Sequence, residues 1–240
     1  VSPQADTAGP QGAQSAPGAV HEAGASLEPS AKQEPAAVAG QGAVRPLLDD
    51  AALDLLFREA RSHNGWLPRA VDDALLLELY QLGSFCPTSM NGCPARILFL
   101  RTDAAKARLL PAISAGNVGK VQTAPVAAII GYDSRFHEHL PQLFPHNPSA
   151  AALFEANPAL AEVTALRNSS LQGAWLMLAA RALGLDCGPL SGFDPAAVNR
   201  EFFPGGRVKV NFICNLGYGD HRQLFPRSPR LAFDQACTLL

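Results

Sequence analysis

Apolar positions are spaced differently in the first 46 residues and in the rest of the chain. Residues 1–46 are mainly Ala, Gly, Pro, Gln and Ser, with no aromatic, Ile, Met or Cys among them. Such a stretch cannot bury enough apolar surface to offset its ordering entropy, and a disordered tail is expected. Regular periods begin at Leu47. Behind Asp49 and Asp50, the positions Leu53, Leu56, Phe57 and Ala60 follow i, i+3, i+4, i+7 spacing and predict a helix. That helix runs out in Arg61-Ser62-His63-Asn64-Gly65-Trp66. A second helix is expected from Asp72-Asp73, carrying Leu76, Leu79 and Tyr80. Residues 97–100 read as a strand and 103–114 as a helix. The near-continuous apolar run 125–132 reads as a strand covered on both faces. Short helices at 136–144 and 150–154 flank a proline-broken loop. A long helix spans 158–183, with Gly184 at its C′ position, and 208–216 is a further strand. Few strands among many helices imply a central sheet with flanking helices, an α+β or α/β layer fold over residues 47–240.

Composition narrows the possible partners. A chain of 240 residues with 48% hydrophobic content supports one sizeable core. A formal net charge of -2 without a basic block argues against nucleic acid or an anionic membrane as partner. Its apolar stretches are too short to cross a bilayer. The opening Val-Ser-Pro-Gln-Ala-Asp has no charged-then-apolar leader pattern, so a cytoplasmic location is expected. Five scattered cysteines lack zinc-ligand spacing and read as reduced, mostly buried thiols.

Several catalytic patterns are missing. There is no G-x-S-x-G nucleophile elbow and no G-x-G-x-x-G dinucleotide turn. Gly116-Asn117-Val118-Gly119-Lys120 lacks the length of a P-loop and the Ser or Thr after its Lys. His137, His139 and His146 resemble ordinary loop imidazoles more than a metal set, and no metal is expected. Three segments carry more. Arg61-Ser62-His63-Asn64 offers a planar cation and short polar donors suited to phosphate oxygens. Pro87-Thr88-Ser89-Met90-Asn91 is a proline-stiffened polar loop whose Asn both donates and accepts. Residues 184–193 place glycines where a backbone can approach a flat ligand and offer it N–H groups. Arg227 and Arg230 add two late cations. Alone, Arg61–Asn64 reads better as an ordinary polar helix end, and the other segments as a surface turn, a helix-to-loop exit or solvated cations.

Together, in this order, these segments resemble the nitroreductase family. The match extends through Ala60-Arg61-Ser62-His63-Asn64-Gly65-Trp66, Gly116-Asn117 with Thr123-Ala124-Pro125-Val126, Leu143-Phe144-Pro145-His146 and Arg167-Asn168-Ser169-Ser170. It continues in Ala182-Leu183-Gly184-Leu185-Asp186, Pro189-Leu190-Ser191-Gly192-Phe193-Asp194 and Leu216-Gly217-Tyr218-Gly219-Asp220. Within that family the strings are most similar to the malonic semialdehyde reductase branch of bacterial pyrimidine degradation.

The resemblance implies an α+β nitroreductase-like fold, with a mostly antiparallel sheet flanked by helices, that forms a homodimer. It implies FMN as cofactor and NADPH or NADH as co-substrate. Arg61, Ser62, Asn64, Arg227 and Arg230 would hold the FMN phosphate. Pro87, Thr88, Ser89 and Asn91 would line the isoalloxazine, and Leu190, Ser191 and Gly192 would face its N5 and O4 edge. Asn64 stands where much of the family has a second Arg, and Cys93 where a Gln is common. No side-chain acid or base is implied. The expected substrate is a small aldehyde, malonic semialdehyde. The alternatives are a broad nitroaromatic or quinone reductase and a non-catalytic FMN-binding module.

Overall fold

Four strands pair antiparallel in the order β1-β2-β4-β3: β1 (Ala95–Leu100), β2 (Val126–Asp133), β3 (Asp186–Leu190) and β4 (Val208–Gly217). The computed structural model describes residues 46–240, and Leu47–Leu240 forms one unit. The expected tail, residues 1–46, lies outside the described residues apart from Pro46. All eight residues of β2 are buried, because helices cover both faces of the sheet. That double burial is why its sequence is apolar without alternation.

The helices are α1 (Asp50–Leu53), α2 (Asp73–Gly83), α3 (Asp103–Leu109), α4 (Ala115–Thr123), α5 (Leu140–Leu143), α6 (Ala150–Glu155), α7 (Pro158–Ala182), α8 (Pro195–Phe202) and α9 (Phe233–Ala236). On one face, Leu76 and Leu79 of α2 and Leu176, Ala179 and Ala180 of α7 pack over Val126, Ala128 and Ile130. On the other, Leu109 of α3, Val121 of α4 and Val198 of α8 cover Ala127 and Ile129. A third cluster joins Tyr132 and Phe136 to Phe154 of α6 and Ala165 of α7.

Most predicted elements are present, with informative differences. The first helix becomes a π turn over Asp54–Arg58, and Leu55 and Phe57 stay half exposed. The helix expected over 103–114 ends at Leu109 and tightens into a 3₁₀ turn at Leu110–Ala112, where Pro111 has no N–H to donate. Gly184 adopts φ +76 just past α7, as its C′ role requires. Three elements were not expected. In α4, Gly116 and Gly119 face open space and disguise a helix as a loop. β3 hides in a Gly- and Pro-containing stretch that pairs with β4. α8 starts from Asp194, which accepts from the Ala196 and Ala197 N–H groups, and has Pro195 in its first turn.

One buried charge fastens the far end of β2. Asp133 accepts from Arg207 Nε and Nη2 at 2.9 Å each, from Arg96 Nη2 at 2.8 Å and from the Arg135 N–H at 2.9 Å. Burial pushes its carboxyl up, but these four donors outweigh burial and hold it below the usual carboxylate range. A lowered pKa contributes stability that is complete above the unfolded-state value, about 3.9, and is lost as pH falls through the folded-state value. Because both arginines are partly exposed, Asp133→Ala should cost about 2–4 kcal/mol at neutral pH. Urea denaturation of the two proteins should show that difference at pH 7 and a narrowing gap below about pH 4.

Candidate functional site

Residues 61–66 leave the first helix and lie along the outer edge of β3. Ser62 makes a parallel bridge with Cys187, and the His63 N–H donates to the Cys187 carbonyl at 2.9 Å. Gly188 is essential to that approach, since a Cβ there would sit 2.5 Å from the His63 carbonyl oxygen. On its other side the same segment is stitched to the chain after β4. Trp66 bridges Gly219, the Leu67 N–H donates to Tyr218 O at 2.8 Å, and the Asp220 N–H donates to Gly65 O at 3.0 Å.

This stitching brings Arg61, Ser62, Asn64, Arg227 and Arg230 around one cavity of about 600 Å³, joined by Arg181 from α7. Arg61 donates to Phe225 O, and Arg227 donates to Ala60 O at 3.1 Å, so the two segments clasp each other. Arg181 donates to Leu56 O at 3.1 Å, and Arg230 to Ser228 O and Pro229 O. Among the described residues, none of these four guanidinium groups pairs with a carboxylate. By contrast Arg58, Arg96, Arg101, Arg108, Arg135, Arg207 and Arg222 all pair with acids. Four cations left to carbonyls around one cavity have the charge and the free donors that a multiply charged anion would need.

Further along β3, Leu190 ends the strand, and Ser191 and Gly192 follow it. The Gly192 carbonyl accepts from the Ser114 N–H at 3.0 Å and from Asn117 Nδ2 at 3.3 Å. A Cβ on Gly192 would lie 2.5 Å from that amide nitrogen, so this glycine admits α4. Among the described residues, the Ser191 and Gly192 N–H groups have no protein acceptor. From Cys187 to Ser191 the backbone advances about 13 Å at ~3.3 Å per residue. The site is therefore elongated, with cations toward one end and free amides toward the other.

Helix α4 bridges the two ends. Its Lys120 carbonyl accepts from Trp66 Nε1 at 3.1 Å, while Asn117 braces Gly192. Lys120 is half-buried, and among the described residues its ammonium meets no carboxylate. Sequence reasoning missed both Asn117 and Lys120. Their signal, Gly116-Asn117 and Lys120, reads in the sequence as a defective P-loop and, for Gly116-Asn117, as one string of the resemblance, not as one face of a helix.

Pro87, Thr88, Ser89 and Asn91 do not join this cavity within one chain. Their loop leads into β1, at the opposite edge of the sheet from β3, and three strand spacings of ~4.8 Å separate the edges by about 14 Å. The loop is tightly tied. Thr88 Oγ1 accepts from the Cys93 N–H at 3.2 Å, the Ser89 N–H donates to buried Asn168 at 2.8 Å, and Asn91 Nδ2 donates to Leu143 O at 2.9 Å. Met90, Asn91 and Cys93 have φ of 53, 49 and 40, a left-handed conformation costing non-glycine residues about 1–2 kcal/mol each. Strain of this kind persists only where surrounding bonds over-determine it, and it clusters at ligand-binding segments.

Comparison with known proteins agrees with this architecture. The model of the nitroreductase family matches residues 57–218. A Ralstonia pickettii protein bearing the name NADH dehydrogenase/NAD(P)H nitroreductase HadB is 58% identical over 190 residues, covering 78% of this chain and 97% of its own. A similarly named protein of Burkholderia lata is 59% identical over 187 residues, covering 78% and 95%. Among solved structures, Bacillus subtilis nitroreductase ydfN superposes with a TM-score of 0.73 at 21% identity, covering 79% of this chain and 99% of its own. A nitroreductase of Exiguobacterium sibiricum, described in complex with FMN, gives 0.71 at 19%, covering 82% and 100%. In sequence and in fold, the chain belongs to the nitroreductase family.

Proposed function

We propose that this chain is an FMN-dependent oxidoreductase that takes reducing equivalents from NADPH or NADH and reduces malonic semialdehyde to 3-hydroxypropanoate. The observation that carries the FMN reading is the acid-free cavity lined by Arg61, Arg181, Arg227 and Arg230. Its donor set fits a phosphate monoester, with Ser62 and Asn64 adding neutral polar contacts. The free N–H groups of Ser191 and Gly192 fit the polar edge of a planar ring. A structure bearing FMN in its description shares the fold, and relatives above 50% identity carry NAD(P)H in their names.

When bound, FMN supplies two-electron chemistry that no side chain here provides. The work of the chain is then binding, orientation and electrostatics. The arginines anchor the anionic end. The Ser191 and Gly192 amides would hold the polar edge of the ring, where N–H donors favour an electron-rich flavin. Asn117 fixes the turn that presents those amides.

The site becomes complete in a homodimer. Helix α7 is apolar on its outer face too, where Val163, Leu166, Leu171 and Trp175 are 40–51% exposed. Large apolar side chains exposed along one helix mark a surface suited to being covered. Phe225, Leu231 and Phe233 of the C-terminal arm are more exposed still. A second copy packed on α7 would bring its own strained Pro87–Asn91 loop to the cavity that this chain leaves open.

The names of the relatives favour a second reading, in which the acceptor is a nitroaromatic or quinone. A visible spectrum of the purified protein, then anaerobic NADPH and one acceptor at a time, separates the two. Flavin bands bleached by NADPH and restored by malonic semialdehyde meet the first reading. Restoration only by a nitro compound or quinone selects the second, and no retained flavin removes both. Arg227→Ala should weaken FMN retention about 10- to 100-fold, the worth of one charge-assisted bond, as measured by flavin fluorescence on dilution. Trp175→Glu should shift the protein to monomer in sedimentation and lower its flavin content in parallel.

A further inference from the structure

One residue beyond Ser62, three side chains from three segments converge that the proposed chemistry does not use. His63 is 2% exposed, Asp186 is the first residue of β3, and His221 opens an exposed 3₁₀ turn, His221–Gln223. His63 Nε2 lies 3.2 Å from Asp186 Oδ1, and one ligand atom from each of the three residues lies within 4.8 Å of the others. The two imidazole rings meet edge-on, with centroids 5.2 Å apart. Among the described residues no other three His, Cys, Asp or Glu side chains come this close, and His137, His139 and His146 do not form such a group.

The surroundings aim these atoms at one another. Asp186 Oδ2 accepts from the Gly219 N–H at 2.8 Å, which leaves Oδ1 for His63. His63 Nδ1 is buried against Gly219 with no hydrogen-bond partner, so Nε2 is the polar side of that ring. Arg222 is engaged by Asp220 at 2.9 Å and does not neutralise Asp186. Ligands at about 2.0–2.2 Å around a tetrahedral ion stand roughly 3.3–3.5 Å apart, so the His63–Asp186 edge already fits. His221, on an exposed turn, needs to close by no more than about 1.5 Å.

We propose that His63, Asp186 and His221 bind one divalent transition-metal ion of the zinc class, with water completing its coordination. Two imidazoles and one carboxylate suit zinc, cobalt or nickel and do not suit calcium or magnesium. The ion staples residues 61–66 to β3 and to the turn that precedes Arg227 and Arg230. It thereby holds together the segments that shape the cation cavity.

The full chain, stripped with chelator and carrying Cys237→Ser to remove its exposed thiol, is titrated with Co(II) and then Zn(II). The expected result is about one cobalt per chain with a low-symmetry visible spectrum that zinc abolishes. His221→Ala should lower cobalt affinity at least tenfold, while His146→Ala should match the parent. Zinc should also raise the thermal midpoint of the parent and leave that of His221→Ala unchanged. Absence of a cobalt spectrum in the parent, or equal affinity in His221→Ala, overturns the proposal. Since the readout is the ion itself, it stands or falls separately from the flavin reading.

Discussion

The docking of residues 61–66 against β3 sets the position of nearly everything around the cation cavity. At this site a Cβ on residue 188 would collide with the His63 carbonyl oxygen, and Gly188 supplies the gap that lets the segment sit there. With the His63 N–H on Cys187 O, the direction of Arg61 and Ser62 is decided by sheet geometry and not by the flexible chain before them. The other edge of the segment is closed by Trp66, Gly65 and Leu67 on residues 218–220. The late arginines thus reach the early one across most of the chain, and Arg61 and Arg227 grip each other's backbone.

Charge is distributed unevenly in this molecule. At the far end of β2, Asp133 collects Arg96 and Arg207, and Glu138 and Glu162 take Arg135 and Lys209. Positive charge there is neutralised in place. Around the cavity, four guanidinium groups are held only by carbonyls, which orient a cation without cancelling it. Fixed, uncancelled cations repel one another, and an anion among them would relieve that repulsion. A low net charge conceals this contrast.

Two features of the single chain bear on the proposed dimer. Helix α7 buries Ala165, Ser169, Gly173 and Leu176 on the sheet while Leu166, Leu171 and Trp175 stay outside. The Pro87–Asn91 loop is strained and fully tied down, yet it sits at the sheet edge away from the cations. The proposed second copy on α7 would answer both. It would cover apolar surface, and it would turn the cost of three left-handed residues into a preformed wall for a ligand.

Periodicity alone was enough for the buried strand β2, the helices α2 and α7 and the stop at Gly184, because burial on defined faces writes itself into the order of apolar residues. The candidate segments Arg61–Asn64, Leu190–Gly192 and Arg227–Arg230 were legible as a resemblance. Helix α4 and strand β3 were not legible, since Gly116, Gly119, Gly188 and Pro189 carry loop composition; Gly188 answers the close approach of His63 and Pro189 sits on an edge strand, while nothing crowds Gly116 or Gly119. Asn117 and Lys120 were missed with them. Nor could spacing announce that His63, Asp186 and His221 would meet, or that the loop at residue 87 would stand at the opposite sheet edge from Arg61. Local pattern records which residues prefer to be buried and in what period; which distant segments become neighbours is decided only when strand pairing brings their backbones into hydrogen-bonding range.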